Sequence, residues 1–212
     1  MDIKHFFKKK NNLMLLYWAI IVTVLVAALF TMIHPFMVIS TVSPVRNRDG
    51  VTRQLKDSDV LRIDFVSSWD KIPEIELFIA TFMEIITTGS VEYEFYSSDI
   101  MLAQGIIPHE LLTDNSYVHI DLGDNKIVPE SSCYLILRIR NVSSPIALWS
   151  GTVEKMTISA SINEEPLTGT PIIVFHVYKA DWVITWDLFM LFSILLLPAV
   201  YLTFRNKQEV QK

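Results

Sequence analysis

The residues that could carry chemistry are few and scattered. There are five histidines: His5, His34, His109, His119 and His176. No two stand three or four residues apart, the spacing that sets a pair of metal ligands on one helix face. His119 and His176 lie in strand-like runs among apolar neighbours and read as ordinary strand residues. The expectation is therefore no metal ligand and no cofactor. No nucleophile elbow, phosphate loop or dinucleotide fingerprint occurs. Carboxylates such as Asp64, Asp99, Asp114, Asp121 and Asp124 are plentiful, but a general acid and base must meet across a fold. No catalytic residue is assigned, and the chain reads as a non-enzyme. Asp121–Asn125 gathers oxygen donors at a turn, as a Ca²⁺ loop would, yet reads as a solvated hairpin. The lone Cys133 excludes an intrachain disulfide and reads as a buried small hydrophobe.

Aromatic side chains offer a second kind of chemistry. A ring covers the apolar C–H face of a sugar while amides and carboxylates bond its hydroxyls. Trp69, Tyr96, Tyr117 and Trp149 are the candidate glycan contacts, being near turns or loops. Tyr93 shares a strand face with Val91 and Phe95 and is assigned to the core.

These residues need elements to position them. Leu61–Phe65, Val91–Phe95 and Val118–Leu122 alternate apolar with polar, the period of a half-buried strand. Ile75–Phe82, Tyr134–Ile139, Lys155–Ile162 and Ile172–Val177 add apolar or alternating runs. Turn residues separate them at Thr88-Gly89, Gly123–Asn125, Asn141–Pro145 and Asn163–Gly169. Pro108–Leu112 is the one short helical candidate. Seven or more strands with little helix predict a two-layer antiparallel β-sandwich.

The chain has 212 residues, 51% of them hydrophobic, and a net charge of −5. Two nearly uncharged blocks, Leu13–Ile33 and Trp182–Phe204, hold much of the apolar excess. Each reaches the roughly 20 residues that span a hydrocarbon core. Lys4, Lys8, Lys9 and Lys10 precede the first block, and Arg205, Lys207 and Lys212 follow the second. Basic flanks stay in the cytoplasm, so the expectation is a two-pass protein of the plasma membrane. Both termini would be cytoplasmic and the middle extracytoplasmic. The acidic middle argues against nucleic acid as a partner. The expected order is a basic tail over 1–12, transmembrane helices over 13–33 and 182–204, a juxtamembrane connector over 34–58, the β-sandwich over 59–181, and a second tail over 205–212. Ala19, Thr23, Ala27 and Thr31 recur every four residues and form a candidate helix-packing stripe. Trp182, Trp186 and Asp187 are expected at the membrane interface.

Several pieces then fall into a familiar sequence. They are Leu61–Phe65, Ile75–Ala80 with Thr81, Thr88–Tyr96, Leu112–Asn115, Val118–Leu122, Ser132–Ile139 and Ala147–Trp149. Their order resembles a jelly-roll, carbohydrate-binding-module-like domain of bacterial membrane proteins of surface-polysaccharide assembly. There the domain often sits on the outer face of a multi-span glycosyltransferase that uses lipid-linked sugars. The likeness covers about half of the chain and carries no catalytic signature. It departs in having no multi-span catalytic body, which implies that any such body is a separate chain.

The expectation is thus a mainly β protein: an antiparallel, jelly-roll-like sandwich held between two transmembrane helices. Its function would be that of a non-catalytic two-span subunit of a polysaccharide-assembly or glycosyltransferase complex, presenting a glycan- or partner-binding sandwich. Expected partners are a multi-span glycosyltransferase or assembly protein, a second copy, a glycan or lipid-linked sugar, and membrane lipid. The alternative is a membrane-anchored ligand sensor or adhesion-type receptor. A third reading has Asp64 and Asp114 acting on a glycan.

Overall fold

The computed structural model describes residues 3–194 except 46, 154 and 155, with side chains from residue 18 onward. Two compact units form: Met1–Val38 with Lys179–Lys212, and Ile39–Tyr178.

In the first unit, α1 runs over Ile3–Ile33 and α2 over residues 182–194. Asp181 caps α2, its Oδ1 accepting from Val183 N at 3.0 Å and Ile184 N at 3.1 Å. Among the described residues no helix is long and apolar enough to cross a membrane. This finding corrects the expected two-pass localisation. The rest of the second block, 195–204, and the tail 205–212 lie outside the described residues, as do the side chains of 13–17.

The second unit is mainly β. Its strands are β1 (Met37–Val42), β2 (Gly50–Val51), β3 (Val60–Ser67), β4 (Glu74–Ala80), β5 (Ser90–Ser97), β6 (Ile100–Pro108), β7 (Ser116–Asp121), β8 (Ser131–Arg140), β9 (Ala147–Gly151), β10 (Ile158–Ile162), β11 (Glu165–Pro166), β12 (Thr170–Pro171) and β13 (Ile173–Ala180). One sheet orders β11-β10-β3-β8-β5-β6. The other orders β1-β13-β4-β9-β12, with β7 also on β4 and β2 also on β9. The pairings β3–β8, β5–β8, β4–β7 and β4–β13 are antiparallel. Residues 34–58, read from sequence as a connector, contribute β1 and β2; Met37–Val42 alternates exposed with half-buried positions at the sheet border.

Alternation builds the core. Leu61, Ile63 and Phe65 of β3, Phe95 of β5, and Leu135, Leu137 and Ile139 of β8 point inward from one sheet. Ile75 and Leu77 of β4, Val118 and Ile120 of β7, and Ile173, Phe175 and Val177 of β13 join them from the other. Phe65 and Phe175 meet at 4.8 Å between ring centroids. Cys133 is fully buried in this layer. At the sandwich margin Tyr93 Oη donates to Asp121 O at 3.0 Å and so ties β5 to the end of β7.

Candidate functional site

The outward positions of β4, β7 and β13 are set by the same alternation that buries Ile75, Leu77 and Ile120. Glu74, Glu76 and Phe78 leave β4 on one side, and Tyr117, His119 and Asp121 leave β7 beside them. The register sets Phe78 opposite Tyr117, Glu76 opposite His119 and Glu74 opposite Asp121. Across the other edge of β4, Glu74 faces His176 and Glu76 faces Val174. Opposed and diagonal side chains on one face are within reach of each other.

A polar cluster results. His119 Nδ1 contacts Glu74 Oε1 and lies 3.2 Å from Glu76 Oε1. His176 Nε2 lies 3.0 Å from the same Glu76 oxygen. That separation is short, but the angles make no hydrogen bond, and His176 Nε2 is buried without a hydrogen-bond partner. The donor atoms of Glu74, Glu76 and His119 all lie within 4.8 Å of one another. Such oxygen and nitrogen donors can hold a proton network or a cation.

An aromatic cluster adjoins it. Tyr117 rests on Phe78 at 4.6 Å between centroids, and Trp149 stacks on Phe78 at 5.9 Å. The Arg48 guanidinium sits 4.0 Å over Phe78 and 5.5 Å from Trp149, a favourable cation–π geometry. Tyr117 is 42% exposed, whereas Phe78 is buried. Trp149 is half-buried and its Nε1 has no hydrogen-bond partner.

The other sequence candidates fall elsewhere. Trp69 packs against the core, 5.5 Å from Phe175. Tyr96 stands on the outer face of the six-stranded sheet and stacks on Tyr134 at 4.7 Å. That face is an ion-pair ladder: Arg62 bonds Asp64 and covers Tyr134, while Arg138 reaches Glu94 and Arg140 reaches Glu92. The hydrogen bond to Asp64 raises Arg62 above its ordinary value. Asp64 and Asp114 lie apart in role, Asp64 on this ladder and Asp114 holding the backbone of Thr81 and Phe82. The Asp121–Asn125 turn is closed on itself, Gly123 N donating to Asp121 Oδ1 and Asn125 Nδ2 to Leu122 O, and Asn125 Nδ2 also ties it to Leu102 O of β6.

In the first unit, Thr23 donates to Ala19 O and Thr31 to Ala28 O, so both hydroxyls are satisfied within α1. Ala19 and Thr23 are exposed, and Ala27 and Thr31 half-buried. Trp182, Trp186 and Asp187 are exposed on α2. Sequence reasoning missed the Glu74–Glu76–His119–His176 cluster because it sought ligands on helices. The readable signal is Glu-x-Glu on one strand, with a histidine in each of two strands that could flank it. No known family matches the chain, and no characterised protein matches it.

Proposed function

We propose that the chain is a non-catalytic binding subunit of a surface-polysaccharide assembly complex, and that its sandwich recognises glycan on the outer face of β4, β7 and β13. One observation carries this reading. The half-exposed Tyr117 ring and the polar atoms of His119, Glu76 and Glu74 share one rigid sheet face at adjacent positions. An aromatic surface beside planar hydrogen-bonding groups suits a sugar, whose faces are apolar and whose rim is polar. The strand orders support a jelly roll: β3-β8-β5-β6 opposite β1-β13-β4-β7 is the arrangement that two Greek keys produce. The setting in polysaccharide assembly, with a glycosyltransferase as partner, rests on the resemblance of the strands and turns. Affinity electrophoresis of the full chain through gels containing purified surface polysaccharides tests it. At least one polymer should retard the protein, and Tyr117→Ala should weaken binding about tenfold, or ~1.4 kcal/mol. Migration unaffected by every polymer, or equal retardation of the variant, rejects the reading.

A second reading, a protein partner, is favoured by the loop after β4. Met83 is 89% and Ile85 84% exposed, beside a cleft of about 540 Å³ that also includes Leu112 and Asp114. Phe82 and Met83 both hold a positive φ, 58° and 65°. Strain of this kind gathers where binding needs a fixed shape. Ile85→Asp should abolish co-purification of a glycosyltransferase while leaving the fold intact by circular dichroism; unchanged recovery rejects this surface.

A further inference from the structure

Glu74, Glu76 and His119 present a problem that hydrogen bonding alone does not solve. His119 Nδ1 faces Glu74 Oε1 and Glu76 Oε1 together, and one ring nitrogen carries at most one proton. Glu76 Oε1 also faces His176 Nε2 at 3.0 Å, without hydrogen-bond geometry. Two carboxylates two residues apart on one strand face repel each other. The arrangement concentrates lone pairs on one point from two adjacent strands, with a buried imidazole nitrogen behind it.

We propose that Glu74, Glu76 and His119 bind a divalent transition-metal ion of the zinc type. Two carboxylates balance the ion's charge, and a neutral imidazole adds a nitrogen donor, a set that zinc accepts and that Mg²⁺ or Ca²⁺, which prefer oxygen alone, does not. His119 Nδ1 and Glu76 Oε1, 3.2 Å apart, are close to the spacing of two ligands held at about 2.0–2.2 Å by one tetrahedral ion. His176 Nε2 stands 3.0 Å from Glu76 Oε1 on the third strand, without a hydrogen-bond partner. The His119 side chain is 64% exposed, so the site opens to solvent on one side and keeps a position for water or an incoming ligand oxygen. The sheet fixes all four residues, since each lies in a paired strand.

The test uses the full chain, treated with a chelator and titrated with Zn²⁺ alone. Calorimetry should give saturable binding of one ion per chain, and free zinc should raise the thermal midpoint as mass action requires. His119→Ala and Glu76→Gln should abolish both effects while circular dichroism stays unchanged, because neither side chain contributes to the apolar core. His109→Ala, outside the cluster, should change neither. No saturable binding, or binding that survives His119→Ala and Glu76→Gln, overturns the proposal. The probe contains no sugar, so the outcome is separate from that of glycan binding.

Discussion

At the scale of single residues, backbone space and burial decide what can change. Gly89 holds φ +97°, and a Cβ there would meet Val142 N at 2.5 Å and Arg140 O at 2.6 Å. Both atoms are backbone and cannot swing aside. Gly89→Ala should cost about 1–3 kcal/mol or more in chemical denaturation. Tyr93 is governed by burial first and then by the Asp121 charge, and both raise its phenol above the ordinary value. Tyr134 is raised by burial and then Asp99, and Tyr96 first by its hydrogen bond to Glu94. A raised tyrosine is favoured neutral in the folded state. Its stabilisation is complete below the unfolded pKa of about 10 and is lost as pH rises through the folded value. Thermal midpoints should therefore fall above about pH 10, with a smaller fall in Tyr93→Phe. That variant should also lose about 1 kcal/mol at neutral pH with its bond to Asp121.

At the scale of elements, β4 is the strand on which the seven-stranded sheet depends. It pairs with β7 on one side, and with β13 and then β9 on the other. Its inward residues Ile75 and Leu77 are almost wholly buried, and its outward ones supply Glu74, Glu76 and Phe78. Leu77→Ala should cost about 2–5 kcal/mol by urea unfolding, because a cavity opens between paired strands that cannot close. The start of the loop that follows is held by the Asp114 carboxylate. Asp114 Oδ1 accepts from Thr81 N at 2.6 Å and Phe82 N at 3.1 Å. Asp114→Ala leaves two amides without this partner and should cost about 1–3 kcal/mol. Hydrogen exchange should quicken at Thr81 and Phe82 and not in β3. Exchange that is uniform across the sandwich would show that Asp114 supports the whole fold instead of this loop.

For the molecule as a whole, the β unit carries its own core and needs no covalent brace. Ile39–Tyr178 is one compact unit, and Cys133 within it is buried. Expressed alone, this segment should unfold in one cooperative transition, and a reductant should leave the midpoint unchanged. Two separate transitions would mean that the two sheets do not share one core. The six-stranded face satisfies its own charges in the Arg62, Arg138 and Arg140 pairs. Such exposed pairs contribute little stability each. The seven-stranded face instead leaves Tyr117 open and gathers His119, Glu74 and Glu76, which makes it the face with binding capacity to spare.

Period-two alternation over Leu61–Phe65, Val91–Phe95 and Val118–Leu122 determined the β class by itself, because a strand buried on one face must alternate. The same pattern assigned Tyr93 to the core, where the structure leaves it half-buried against the margin, and Pro108–Leu112 found the short helical turn at His109–Leu111. The strand β6 escaped because Ile100–Pro108 is an edge strand, largely exposed, with no alternation to read. Apolar length suggested two membrane spans, yet no described helix is long and apolar enough to cross. Register was beyond the sequence altogether. It set His119 opposite Glu76 and His176 opposite Glu74, although 43 residues or more separate them along the chain. It also drew Tyr117 and Trp149 together on Phe78. The physical reason is that local pattern fixes which face a side chain takes, whereas the neighbour across that face is chosen by strand pairing between distant segments.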